Sequence, residues 1–232
     1  MYVPSPGTHE VPQATQAPLP GAAAALIGVA ALIVVLVPFL WPLAEHFNAI
    51  AHEGAHALVG GAMGFSLVGV HLYGDASGVT EWGPATPDTG ARRTLTRFVG
   101  YLGPSGFGLC TAKLIETGRG VTVLWIVILL LALLFVVTRK SFGIFTVSAT
   151  IALLALATRY AHTGLEELIS YGLTWLLLLS GVRVAVAHGV NAGDAANLSR
   201  TTHIPRLIWA LLWLAGTLLA LVIGGKWLVL RT

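Results

Sequence analysis

With 232 residues, of which 56% are hydrophobic and only 10% charged, and a mean hydropathy of +0.81, this chain is a membrane protein; soluble domains carry about 25% charged residues. Its net charge of +3 and pI near 9.3 suit loops that face anionic lipid and give no ground for nucleic-acid binding. The single cysteine, Cys110, excludes an intrachain disulfide and any cysteine-rich metal site, and its setting among Gly108, Leu109, Thr111 and Ala112 predicts a buried small hydrophobe.

Residues 1–20 contain Pro4, Pro6, Pro12, Pro18 and Pro20 and no lysine or arginine. Such a stretch cannot bury a core and reads as a disordered tail, and without a basic start it does not resemble a cleaved signal peptide. The remainder, 21–232, reads as one integral-membrane domain. From Gly21 to about Leu40 runs an uncharged apolar segment long enough to span a bilayer, which Pro38 and Pro42 should kink or end.

A second helix follows from about Ala44 to Met63, ended by Gly60, Gly61 and Gly64. It carries His52-Glu53-Gly54-Ala55-His56, an H-E-x-x-H pattern. On a helix the two histidines are i and i+4, so their rings share one face about a turn apart. Neutral ring nitrogens so placed can bind one Zn²⁺, and Glu53 can act as general base toward the attacking water. The bland alternative is a pair of space-filling histidines. Three ionisable groups in so apolar a segment are costly without a metal, and they predict burial among other helices rather than contact with lipid.

Phe65 to Tyr73 then alternates loosely, Gly74-Asp75-Ala76-Ser77-Gly78 reads as a turn, and Val79 to Trp82 as a return strand. This is either an interfacial loop or a small β-hairpin whose edge could hold an extended peptide by main-chain hydrogen bonds. Pro84, Pro87, Asp88 and Gly90 form a polar connection to a helix from Thr94 to about Ile115. Its glycines and Pro104, between Gly100 and Gly108, suit close helix packing first and lining of a cavity second. Val121–Val137 and Phe142–Ala157 are plain spans separated by Thr138-Arg139-Lys140-Ser141.

Leu165 to about Val186 is a further helix, with Glu166 and Glu167 as first-turn charges suited to the macrodipole and His162 at the interface before it. The last span runs from Ile204 to about Leu230, with Trp209, Trp213 and Trp227 suited to the membrane interfaces. The fold class is therefore an all-α polytopic membrane protein, with about six to seven transmembrane helices and a small β-hairpin after the motif helix. If all seven segments cross, eight basic residues against five favour a cytoplasmic N-terminus.

A catalytic zinc usually takes three protein ligands. Val59 and Ala62 stand where a metzincin would have its glycine and third histidine, and Glu81, Glu116, Glu166 and Glu167 all lie in the hairpin or at helix ends. The remaining acidic candidate is Asp194, in the Gly- and Asn-containing break His188-Gly189-Val190-Asn191-Ala192-Gly193 that follows a membrane helix. It could line a cavity as a ligand, or simply N-cap a short helix from Ala195 to Thr201. His188, His203 and His71 compete for the third position.

Taken together, the HExxH membrane helix after an apolar span, the Ser77-Gly78-Val79-Thr80 hairpin and the Asn191…Asp194 segment resemble the site-2 protease class of intramembrane zinc metallopeptidases. The resemblance is to its compact bacterial branch without a PDZ domain. It implies one Zn²⁺ held by His52, His56 and Asp194, with Glu53 activating water and the hairpin engaging a membrane-protein substrate. Asn191 or Asn197 could hydrogen-bond the oxyanion or the substrate backbone. It further implies a multi-pass protein of a bacterial cell membrane. Here Ala195 follows Asp194 where the family has an Asp-Gly pair, and the family's proline between Asn191 and Asp194 is absent. The competing readings are a catalytically silent membrane scaffold and, against the lack of an inverted repeat, a metal or solute transporter.

Overall fold

The computed structural model describes residues 18–83, 90–160 and 163–230. These form α1 (Gly21–Leu36), α2 (Trp41–Ala62), β1 (Leu67–Leu72), β2 (Gly78–Trp82), α3 (Gly90–Glu116), α4 (Gly120–Val137), α5 (Ser141–Tyr160), α6 (Thr163–His188), α7 (Gly193–Thr202) and α8 (Arg206–Val229). The class is the expected one, an all-α polytopic membrane protein with one hairpin directly after the motif helix. Most of the Pro-rich tail, the Pro84–Asp88 connection and His162 lie outside the described residues. Helices α4, α5, α6 and α8 are each long and apolar enough to cross a bilayer, and the bent pair α1–α2 would supply a fifth span. Helix α3 is long but diluted by glycines and by Arg92, Arg93 and Arg97, and it lies in the interior of the bundle.

Helices α1 and α2 meet at 96°. Pro38 cannot donate to the ladder of α1, and Pro42 is accommodated in the first turn of α2, where its missing N–H would have no partner anyway. Arg183 of α6 braces the bend. Its guanidinium lies 4.1 Å from the ring centroid of Trp41 and donates to the carbonyl of Val35, in the last turn of α1. A cation at a helix C-terminus that also stacks on an aromatic face is a role arginine fills and lysine does not.

Helix α3 runs through the middle, packed on α2, α6 and α8. Gly103 lies against Ala55 of α2 and Gly108 against Leu178 of α6, so small residues set the spacing. One apolar core joins α1, α3, α6 and α8 through Ala24, Ala112, Ile115, Tyr171, Leu178 and Leu228. A second fixes β1 to α4 and α5 through Val70, Leu72, Leu131, Leu134 and Val147.

The two strands are antiparallel, pairing Val70 with Thr80 and Leu72 with Gly78, with an irregularity between Leu67 and Gly69. The Asp75 carboxylate accepts from the Ser77 amide and hydroxyl at 3.1 and 2.6 Å, which closes the turn. The outer edge of β1 is occupied: the Arg139 N–H donates to the Val70 carbonyl at 3.0 Å and its Nε to that of Val68 at 3.2 Å. Strand β2 has no strand beyond it among the described residues.

Three expectations need correction. Cys110 is exposed, on the same stripe of α3 as the exposed Gly106 and Lys113. Trp209 and Trp213 are buried between α3 and α7 rather than interfacial, since their neighbours Phe98, Tyr101 and Leu198 enclose them. Finally, Asp194 caps nothing: α7 starts at Gly193 with Ala192 in the N-cap position, which places Asp194 inside the first turn.

Candidate metal centre and active site

Two rules place the four polar residues of interest. His52, Glu53 and His56 follow from the helical period of α2. Asp194 arrives from the far end of the chain because the break after α6 turns the chain back, and α7 then packs on α3 and α8. As an anion in a first helical turn, Asp194 is favoured by the partial positive charge there.

The three side chains converge. His56 Nε2 lies 3.1 Å from His52 Nε2 and 3.2 Å from Asp194 Oδ2, and His52 Nε2 lies 3.3 Å from the same oxygen. A tetrahedral ion with bonds of about 2.0–2.1 Å has ligand-to-ligand edges of about 3.3 Å. The triangle therefore has the size that zinc requires.

Proton bookkeeping supports the same conclusion. His56 Nδ1 lies 2.7 Å from the Thr96 carbonyl, which can only accept, so Nδ1 carries the proton. The neutral ring then presents a bare Nε2 lone pair to a second ring nitrogen and a carboxylate oxygen. His56 Nε2 and the Asp194 oxygen are then two acceptors facing each other at 3.2 Å, and they repel unless a cation, or a proton supplied by His52, lies between them. A ring N–H tied to a backbone carbonyl is also the usual outer support of a metal-bound histidine. The residues fit a zinc ion.

The backing of the site is aromatic. Tyr101 sets its ring edge-on to His52 with centroids 4.9 Å apart and stacks on Trp213 at 4.4 Å. Trp213 is anchored by its Nε1–H, which donates to the Phe98 carbonyl at 2.8 Å. On the other side, a Cβ on Gly100 would stand 2.3 Å from His56 Nε2 and 2.7 Å from His52 Nε2. Only glycine permits α3 to approach the imidazoles this closely.

These groups open into a cleft of about 700 Å³ between α2, the hairpin, α3 and the α6–α7 break. Asn191 and Asn197 both line it. The Asn197 side-chain oxygen already accepts from Arg200 at 3.0 Å. His188 lies on the cleft wall but exposed, outside the triangle. His203 ends α7, and His71 is bonded to Glu81 at 3.0 Å. Among the described residues no other three such side chains converge on a metal-sized site.

Two contributors escaped the sequence. Asn48, one turn before His52, is buried with its side-chain oxygen unpartnered and lines the cleft; its i−4 relation to His52 is the signal that could have found it. Thr80 donates to Glu53 Oε2 at 2.6 Å, a contact between a strand and a helix that no local pattern announces.

No curated protein and no solved structure matches the chain. The sequence profile of the family described as Peptidase M50B-like does match, over residues 25–224. That span holds the HExxH helix, the hairpin, the α6–α7 break and Asp194, and so the whole of the cleft. The chain belongs to the M50B-like peptidase family and is a multi-pass membrane protein of the site-2 protease type.

Proposed function

We propose that the protein is a zinc-dependent intramembrane endopeptidase that hydrolyses a peptide bond in or near a transmembrane segment of another protein. The observation that carries this reading is the triangle of His52, His56 and Asp194 beside Glu53, inside a membrane bundle. A zinc ion bound there supplies Lewis-acid polarisation of the scissile carbonyl and lowers the pKa of the attacking water.

The chain's own residues do the rest. Glu53 is 4% exposed, stands next in sequence to a ligand candidate and lines the same cleft. It accepts that proton and returns it to the leaving amine. The amides of Asn48 and Asn191 line the cleft and would bind the substrate backbone or the developing oxyanion, with Asn197 a third candidate. A transmembrane substrate must unwind before its carbonyl is free. Strand β2, whose Gly78, Val79 and Thr80 line the cleft, offers the open sheet edge on which the unwound segment can pair.

The test uses purified protein with a membrane-protein substrate in detergent micelles or liposomes. Glu53→Gln should keep the metal and lose turnover by about 10²-fold or more, the range for loss of a general base. Wild-type turnover in Glu53→Gln would end the proposal. Metal flux into liposomes, with no cleavage, would favour a transporter instead.

A further inference from the structure

Glu53 is held from outside its own helix, and the holder is the hairpin. Successive residues of a strand point to opposite faces. Val79 and Glu81 of β2 are exposed, so Gly78, Thr80 and Trp82 form the face turned to α2. Each meets α2 closely. A Cβ on Gly78 would lie 2.5 Å from Glu53 Cγ, and the Trp82 ring fills the space where Gly60 would carry one. Between them, Thr80 Oγ1 lies 2.6 Å from Glu53 Oε2 and 3.3 Å from the Glu53 carbonyl. A hydroxyl has one proton, and the shorter contact to the charged acceptor takes it.

We propose that Thr80 is a positioning residue for Glu53: its hydroxyl holds one carboxylate oxygen and leaves the other to meet the attacking water, so that docking of β2 sets the base. This rests on the reading of Glu53 as general base. It makes the strand that would pair with substrate the same element that orients the catalytic carboxylate. Engagement of an unwound segment and readiness of the base are then linked through one side chain.

The full chain, loaded with zinc in detergent micelles, supports two measurements. The first is hydrogen exchange at the protected amides of β2. A hydrogen bond to a charged group contributes about 10- to 100-fold in an equilibrium constant. Thr80→Val and Glu53→Ala should each speed exchange by about tenfold or more, with the double variant no faster than either alone. Additive effects, or none from Thr80→Val, would overturn the contact, and this cycle needs no substrate.

The second measurement is turnover of a quenched fluorogenic peptide of apolar sequence. Thr80→Val should keep one zinc per chain, lose kcat by about tenfold or more and leave KM within about twofold, and Thr80→Ser should restore most of kcat. An unchanged kcat in Thr80→Val beside an inactive Glu53→Gln overturns the positioning role alone. So does an equal loss in Thr80→Ser. Wild-type turnover in Glu53→Gln overturns the general-base reading instead.

Discussion

Gly100 shows how far the site depends on single atoms. The HExxH pattern was legible because two histidines four apart on a helix must share a face. The Thr96 carbonyl that fixes the His56 tautomer carried no signal, since any residue offers a carbonyl. Gly100 stood in a run read as a packing stripe, and packing was indeed part of its work, but the surface it packs on is the pair of imidazoles. Gly100→Ala should therefore displace both rings and weaken zinc binding by at least about tenfold, the lower end for a disturbed metal-ligand support. Gly106→Ala, whose Cβ would meet nothing within 4 Å, is the matched control and should bind zinc as wild type does. Competition against a chelator of known affinity measures both.

Among the elements, the plain spans α4 and α5 and the hairpin were read from the sequence with nearly their observed bounds, because apolar length and strand–turn–strand alternation are local signals. The break after α6 was read as well, but not its outcome. Asp194 looked equally suited to cap a helix from Ala195, and the choice was made by packing of α7 against α3 and α8, which no local pattern encodes. Tryptophans on α8 were read as interfacial by type, yet Trp213 is enclosed and supports Tyr101, which in turn backs His52. Trp213→Phe trims the indole to a single ring, removes the bond to the Phe98 carbonyl and leaves a gap at a fully buried site. We expect a loss of about 1–3 kcal/mol in stability, measured by unfolding in detergent, with zinc still bound. At the α1–α2 bend, Arg183→Ala should cost a similar amount, about 1–3 kcal/mol, and Arg183→Lys should recover little because an ammonium cannot stack on Trp41.

At the scale of the whole molecule, the membrane and the chemistry are assigned to different helices. The lipid-facing residues Leu129, Leu133, Phe145 and Leu219 are on α4, α5 and α8, all well exposed. The polar residues of the cleft come instead from α2, β2, α3 and the α6–α7 region, with α4 and α5 holding β1 in place from behind. Composition alone announced the first group. The second became visible only when residues more than a hundred positions apart met, as His56 and Asp194 do. The central claim is that this meeting makes one zinc site. Metal analysis of purified wild type, His56→Ala and Asp194→Ala tests it most directly. The account predicts one zinc per wild-type chain and loss of most of it in each variant. Zinc absent from wild type, or retained in full by Asp194→Ala, would contradict it.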